Sequence, residues 1–129
     1  MLVSFIIPHK GREELLERTI QSILDLEFDL NELEIIVVTQ NKTLECPHIA
    51  RDEAHLRVVF RPESDTISAL RNAGVKNASG AYLVFLDADI QLSRNWLNTM
   101  FSELKANPER VLVSAVQQGA PDAVHIPHD

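Results

Sequence analysis

The sequence is poor in cysteine, in positive charge and in long apolar runs. Cys46 is its only cysteine, so no disulfide can form within the chain, and a reducing compartment is the expected setting. Twelve lysines and arginines face 19 aspartates and glutamates, which gives a formal net charge of -7. This balance argues against binding of nucleic acid or of an anionic lipid surface through overall charge. An anionic ligand would therefore have to be held locally, by a metal ion, helix N-termini or a few cations.

No apolar run in the sequence is long enough for a signal peptide or a membrane span. The N-terminal run, Leu2–Ile7, has only a few residues. The length of 129 residues fits one domain, and 45% hydrophobic with 24% charged residues is typical of a globular protein. We therefore expect a cytoplasmic protein without a membrane span, peripheral to the membrane at most through partners.

Apolar segments alternate along the chain with segments of helical periodicity. Strands are predicted at five apolar segments, the first ended by Pro8: Leu2–Ile7, Glu34–Thr39, Leu56–Phe60, Tyr82–Leu86 and Arg110–Val116. Helices are predicted at Arg12–Leu26, from a cap at Asp65 to Ala78, from a cap at Ser93 to Ala106, and as a short one at Pro47–Ala54. Strands without polar alternation, separated by helices, are typical of parallel sheets. The predicted fold is α/β, a Rossmann-like, mostly parallel sheet with helices on both faces.

No internal repeat or low-complexity segment divides the chain. We expect residues 1–116 to form one α/β domain. The last stretch, residues 117–129, contains Gly119, Pro121 and Pro127 and shows no periodicity. It is therefore expected to be a loop or linker tail.

Several common site motifs are missing. The sequence has no phosphate-binding P-loop, no dinucleotide fingerprint after the first strand, no Cys/His zinc cluster and no G-x-S-x-G nucleophile elbow. In open α/β sheets, ligands bind beyond the carboxyl ends of the strands. That rule selects three stretches, which we expect to lie at one edge of the sheet: Pro8–Arg12, Gln40–Thr43 and Asp87–Asp89.

Asp87 and Asp89 directly follow an apolar strand. If the chain stays extended there, a spacing of two residues places both carboxylates on the same side. Two carboxylates that close repel each other unless a cation accompanies them, and Mg²⁺ and Mn²⁺ favour such oxygen ligands. The short D-x-D pattern alone also fits a strand end with two solvated aspartates.

The segment that leads into these aspartates, "ALRNAGVKNASGAYLVFLDAD" from Ala69 to Asp89, resembles a signature of inverting family 2 glycosyltransferases with the GT-A fold. The positions that match are Arg71, Asn72, Gly74, Ala78, Gly80, Phe85, Leu86, Asp87 and Asp89. Ser4–Leu24 and Leu33–Val38 are similar to the first strand and helix and to the second strand of the same family. Three blocks in order, over residues 2–116, are far more specific than D-x-D alone. The resemblance implies the N-terminal half of a GT-A domain.

The resemblance also implies a function and roles for individual residues. Asp89 would ligate Mn²⁺ or Mg²⁺ on the diphosphate of a nucleotide-diphosphate sugar, and Asp87 would contact the ribose or the metal through water. Arg71 would make forked hydrogen bonds to phosphate or base oxygens. One wall of the nucleotide pocket would be formed by the first loop, with Pro8, His9 and Lys10. The implied reaction is inverting transfer of the sugar to a hydroxyl of a saccharide or lipid-linked acceptor, as in polysaccharide biosynthesis.

The loop after the second strand departs from the family pattern. The family usually has "VDDGSxD" there, and its first aspartate hydrogen-bonds the base. This chain has Thr39 and Gln40 at the start of that loop. Either residue would have to reach a base edge with a neutral group, so the base stays open, with uridine as the family default.

The catalytic base has no candidate in this sequence. In the family, an aspartate or glutamate of the acceptor-binding half deprotonates the acceptor hydroxyl. That half is expected to be absent from this chain, and the base to lie outside it. One alternative is therefore a non-catalytic sugar-nucleotide-binding fragment or subunit, and a second copy could cover its open edge as a homodimer.

A second alternative comes from the D-x-D stretch itself. "VFLDADIQL" also resembles the first motif of haloacid-dehalogenase-type phosphatases, in which Asp87 would be the phosphoryl-accepting nucleophile and Asp89 its acid/base partner. That motif normally opens its chain and is followed by threonine or valine, where this chain has Gln91. It also needs a lysine and an acidic pair downstream.

Overall fold

A computed structural model describes residues 1–45, 55–107, 113–115 and 123–125 of the chain. The strands are β1 (Val3–His9), β2 (Leu33–Thr39), β3 (His55–Phe60), β4 (Tyr82–Phe85), β5 (Val113–Ala115) and β6 (Ala123–His125). The helices are α1 (Glu13–Leu24), α2 (Ile67–Asn77) and α3 (Trp96–Ala106), and a short 3-10 helix at Leu30–Glu32 precedes β2. In the part of the chain that the structure describes, none of these helices has the length and apolar character needed to cross a membrane.

The strands form one sheet in the order β3-β2-β1-β4-β6-β5. The first four in this order are parallel, and in the register Ile6 of β1 lies beside Ile36 of β2 and Phe85 of β4. β6 runs antiparallel to both β4 and β5. The sheet is therefore mostly parallel, as predicted.

Alternate residues of the central strands face two separate hydrophobic clusters. On one face, β1 and β2 pack with α1 and α3, through residues that include Phe5, Leu16, Ile20 and Trp96. On the other face, Ile6, Ile36 and Val38 pack with Leu70 of α2. Helices thus cover both faces, which explains why the sequences of β1 and β2 show no polar alternation.

Gly74 marks the closest approach of α2 to the sheet. A Cβ atom at this position would overlap the side chain of Ile6, which is fully buried. We expect Gly74→Ala to lower the free energy of unfolding by about 1 kcal/mol, because overpacking of about 2 kcal/mol outweighs the helix-propensity gain of about 1 kcal/mol. Urea unfolding measures this change. Combining it with Ile6→Ala should give less than the sum of the two losses, and a Gly74→Ala variant as stable as the wild type would contradict the packing argument.

Several predicted boundaries differ from the structure by one or two residues, among them the end of β1 and the caps of α2 and α3. β1 continues through Pro8, although proline has no N–H to donate. At this position of β1 an N–H would face β4, so the pairing of β1 with β2 loses no hydrogen bond. The Ile6 carbonyl on that side accepts the last hydrogen bond, from the N–H of Leu86, and β4 itself has ended at Phe85.

The predicted helix caps were also wrong. Thr66, not Asp65, caps α2 by accepting from the N–H of Ala69, and α3 begins at Trp96 after Asn95 instead of after Ser93.

The stretch expected to be a loop or linker tail contributes a strand. β6 pairs with β4 at Phe85 and with β5 between Ala115 and Ala123. A strand of three residues is too short to give a periodicity signal, which is why the prediction missed it. β5 lies within the strand predicted at Arg110–Val116, whereas the short helix predicted at Pro47–Ala54 lies outside the described residues.

Candidate functional site

The loops after β1, β2 and β4 meet at the carboxyl edge of the sheet. These strands are parallel and adjacent, and the last paired residues of β1 and β2 are His9 and Thr39. The expected shared edge is therefore present. A cavity of about 510 Å³ opens there, lined by the first loop, the start of α1 and the β4 turn: Pro8, His9, Lys10, Gly11, Arg12, Leu15, Ala88 and Asp89.

Asp87 and Asp89 lie in a turn, so the extended chain that would place both carboxylates on the same side is not present here. The carbonyl of Asp87 accepts a hydrogen bond from the N–H of Ile90 at 3.1 Å. β4 ends at Phe85, and with no further strand partner the chain turns. Both aspartates are exposed, whereas Ile90 is buried at the end of the turn. Thr19 of α1 also donates to the carbonyl of Ala88 at 2.9 Å. The turn is thus held firmly while its carboxylates face solvent.

The two aspartates form a small set of candidate metal ligands. Within residues 1–45, 55–107 and the two short strands, no three His, Cys, Asp or Glu side chains cluster in a way that could hold a metal ion. Mg²⁺ typically takes one or two protein carboxylates and completes its shell with water and phosphate oxygens. Asp87 and Asp89 therefore fit a hard cation shared with a phosphorylated ligand better than a cation enclosed by protein alone.

His9 is buried at the end of β1 and connects the first two loops. Its Nδ1 lies 2.9 Å from the hydroxyl of Thr39, and its Nε2 lies 2.9 Å from the carbonyl of Arg12. A carbonyl can only accept, so Nε2 carries a hydrogen, and in the neutral imidazole Nδ1 then accepts from the Thr39 hydroxyl. His9 was predicted to line the nucleotide pocket, and the structure places it in the cavity wall with both ring nitrogens engaged.

Asn41 makes a second connection between these loops, and sequence reasoning missed it. Its Oδ1 accepts from the N–H of Gly11 at 2.8 Å, and its Nδ2 donates to the carbonyl of Gly11 at 2.7 Å. The two residues are 30 positions apart, and only the register of β1 and β2 brings them together. The one signal in the sequence was the glycine after the first strand, because glycine is common where a loop needs a positive φ. In the structure Gly11 has a φ of 95°.

Thr39 and Gln40 are not placed alike. Thr39 is fully buried and shares its hydroxyl between His9 and the N–H of Asn41, so it has no surface for a direct base contact in this structure. Gln40 is partly exposed, and its Nε2 donates to three carbonyls of the loop before α2, at 3.2, 3.3 and 2.9 Å: those of Pro62, Glu63 and Asp65. Because all three partners are acceptors, the amide orientation is fixed and Oε1 points away from them.

A second concavity lies beside the second loop. It has a volume of about 540 Å³ and is lined by Gln40, Asn41, Lys42, Phe60, Arg61, Pro62 and Glu63. Phe60 is 53% exposed, and Arg61 forms an ion pair with Asp65 at 2.6 Å. Of the predicted site residues, Pro8, His9, Lys10 and Asp89 thus line the first concavity and Gln40 lines the second. Thr39, Arg71 and Asp87 line neither of the two.

Arg71 lies on α2, on the opposite face of the sheet from α1. Its guanidinium carbon is 5.9 Å from the centre of the Phe85 ring. Phe85 precedes Asp87 by two residues in the sequence. The buried Nε of Arg71 has no hydrogen-bond partner among the described residues. A buried donor without a partner is rare in folded proteins and is commonly satisfied by a ligand or water.

A model of glycosyl transferase family 2 matches residues 4–129 of the chain. The chain is 32% identical over 110 residues to the uncharacterized glycosyltransferase EpsJ of Bacillus subtilis strain 168, an alignment that covers 82% of this chain and 31% of EpsJ. The mannosyltransferase PcManGT of Pyrobaculum calidifontis, solved with GDP-Man and Mn²⁺, is 25% identical with a TM-score of 0.74. The match covers 88% of this chain and 35% of that chain.

TarS of S. aureus, solved with UDP-GlcNAc, has the same fold, with a TM-score of 0.74 at 23% identity over 84% of this chain and 32% of that chain. This chain thus spans about a third of the length of each of these three proteins. The family match, in contrast, extends over nearly all of its residues, and it includes the block from Arg71 to Asp89. The chain therefore belongs to glycosyl transferase family 2.

Proposed function

We propose that this chain is the nucleotide-sugar-binding part of an inverting glycosyltransferase, and that it binds a nucleotide-diphosphate sugar at the carboxyl edge of the sheet. The observation that carries this proposal is the position of Asp89. It is an exposed carboxylate in the cavity wall, on a turn held by the buried Ile90 and by the Thr19–Ala88 hydrogen bond. Family membership favours this function over phosphatase chemistry at Asp87.

Asp89, together with Asp87 from the same turn, would hold Mn²⁺ or Mg²⁺ with the diphosphate. When bound, such a cation offsets the negative charge that develops on the leaving nucleoside diphosphate. Two carboxylates are enough for this role, because the phosphate oxygens and water complete the shell. PcManGT is a relative of this fold that was solved with Mn²⁺, which supports the choice of cation.

Arg71 would donate to a phosphate or base oxygen of the donor. Its unpartnered Nε and its position near the end of β4 support this role. The chain has a net charge of -7, so a local cation is needed to attract an anionic ligand. Lys10, exposed in the cavity wall, would be a second such cation.

Donor binding without transfer by this chain alone is the second candidate function. Among the described residues, Asp89 is the one carboxylate that lines the first cavity, and it is assigned to the metal. A general base for the acceptor hydroxyl would then come from outside the described residues or from a partner. The chain should bind the donor and show no transfer by itself.

Isothermal titration calorimetry tests the proposal. UDP-GlcNAc and GDP-mannose, titrated with and without Mn²⁺, should show that at least one binds in a metal-dependent way, with an affinity gain of about tenfold or more from Mn²⁺. UDP and GDP without a sugar serve as controls for recognition of the nucleotide alone. If neither sugar nucleotide binds with Mn²⁺ or Mg²⁺ present, the proposed function is wrong.

A further inference from the structure

We propose that Asn41 is a positioning residue of the donor site. Its side-chain amide holds the backbone of Gly11 and thereby keeps the first loop, Lys10–Arg12, in the shape that forms the cavity wall. This inference rests on the proposed function, because the cavity is taken to be the donor site. It adds a residue outside the D-x-D block and assigns it a role that requires no direct contact with the ligand.

The amide of Asn41 matches the backbone of Gly11 at both of its polar groups. The N–H of Gly11 donates to Oδ1 at 2.8 Å and its carbonyl accepts from Nδ2 at 2.7 Å. With both groups engaged, the amide orientation and the loop backbone fix each other. Gly11 has a φ of 95°, and nothing lies within 4 Å of a Cβ built there. The constraint on Gly11 is therefore conformational and not steric, which is where glycine is required.

A chain of hydrogen bonds holds the same loop one residue later. The N–H of Asn41 donates to the Thr39 hydroxyl at 3.1 Å, which donates to His9, and His9 donates to the carbonyl of Arg12. Asn41 thus contacts the first loop directly at Gly11 and indirectly at Arg12. Because Thr39 and His9 are buried, the hydrogen bonds between them are shielded from water, and their geometry is well defined.

The consequence for binding follows from the exposure of the loop. Lys10, Gly11 and Arg12 are all exposed, so packing contributes little to holding them. A loop without these hydrogen bonds would sample many conformations and would lose that freedom when a ligand binds. Ordering a segment in advance improves affinity by removing this loss from the binding step. Asn41 would therefore act on donor affinity through the shape of the loop.

Donor titration of four variants tests the inference in the full 129-residue chain with Mn²⁺ present. The probe is whichever of UDP-GlcNAc and GDP-mannose the wild type binds more tightly. Asn41→Ala should raise the dissociation constant about tenfold, and Gly11→Ala should do the same from the other side of the contact. The double variant should lose about tenfold and not about a hundredfold, because both substitutions remove the same constraint. Asn98→Ala is the matched control, since its amide donates to the Glu27 carbonyl at 2.7 Å, away from the described cavity.

Asn98→Ala should keep wild-type affinity even if it lowers the thermal midpoint as much as Asn41→Ala does. Unchanged affinity in Asn41→Ala, additive losses in the double variant, or an equal loss in Asn98→Ala would each overturn the positioning role. A wild type that binds neither probe would instead show that the proposed function itself is wrong, and the inference would fall with it.

Discussion

Replacing Asp89 with asparagine is expected to weaken Mn²⁺-dependent binding of the sugar nucleotide about a hundredfold, which corresponds to about 3 kcal/mol. Asparagine has the same shape as aspartate but lacks the negative charge that strengthens the binding of a hard cation. Asp89 is exposed, and the turn around it is held by other residues, including the buried Ile90 and the Thr19–Ala88 contact. The substitution should therefore leave the fold intact and act on the ligand alone.

The sharpest measurement of this effect compares the two proteins with Mn²⁺ and with a chelator. In the chelator the wild type should lose its advantage over Asp89→Asn, because the carboxylate attracts the diphosphate only through the cation and repels it when the cation is removed. Asp25→Asn is the matched control, an exposed aspartate at the C-terminal end of α1. Asp87→Asn should show a smaller loss if Asp87 contacts the metal only through water. Retained Mn²⁺-dependent affinity in Asp89→Asn would remove the central support for the proposed site.

The position of the site at the carboxyl edge could be predicted from sequence, since it depends only on strand order and direction. Apolar strands separated by helices predicted a mostly parallel sheet, and the edge rule then selected the loops after β1, β2 and β4. The structure places these loops together. The local geometry could not be predicted in the same way. The turn at Asp87 depends on where the pairing of β4 ends, which no pattern in "YLVFLDADIQL" indicates.

Contacts between residues far apart in the chain were also beyond sequence reasoning. Asn41 and Gly11, and likewise His9 and Thr39, meet only because β1 and β2 pair in one particular register. A shift of that register by one residue would turn their side chains to the other face. The burial of Thr39 also depends on this register. The sequence did not reveal that burial, so Thr39 was a candidate for contact with the base.

Glu34 is the strongest case of a buried charge that the sequence did not reveal. It is only 4% exposed at the amino end of β2, at the opposite edge of the sheet from the candidate site. Its Oε2 accepts hydrogen bonds from the Ser4 hydroxyl at 2.5 Å and from the Ser79 N–H and hydroxyl at 2.6 and 3.0 Å. Ser4 in turn accepts from the N–H of Gly80 at 2.8 Å. One carboxylate thus joins β1, β2 and the segment that enters β4.

We expect Glu34→Ala to lower the free energy of unfolding by about 3 kcal/mol at about pH 7, because it leaves three donors of Ser4 and Ser79 without their acceptor. Urea unfolding measures this loss. Glu17→Ala is the control, since Glu17 is exposed on α1 and its removal should change stability by less than about 0.5 kcal/mol. A loss in Glu34→Ala no larger than that of the control would contradict a structural role for the carboxylate.

The same carboxylate predicts how stability depends on pH. Burial alone would raise the pKa of Glu34, but the hydrogen bonds from Ser4 and Ser79 and the charge of Arg57 outweigh it, so the pKa lies below its ordinary value of 4.5. Because the pKa is lowered, the ionised Glu34 carboxylate stabilises the folded state fully at pH values above 4.5. This stabilisation is lost as the pH falls through the pKa of the folded state. The Glu34→Gln side chain does not take up a proton in this pH range, so the stability of this variant should fall less steeply than that of the wild type on acidification below 4.5. The gap between the two proteins in urea unfolding should therefore narrow toward low pH, and a gap that stays constant or widens would show that the network does not favour the charged form.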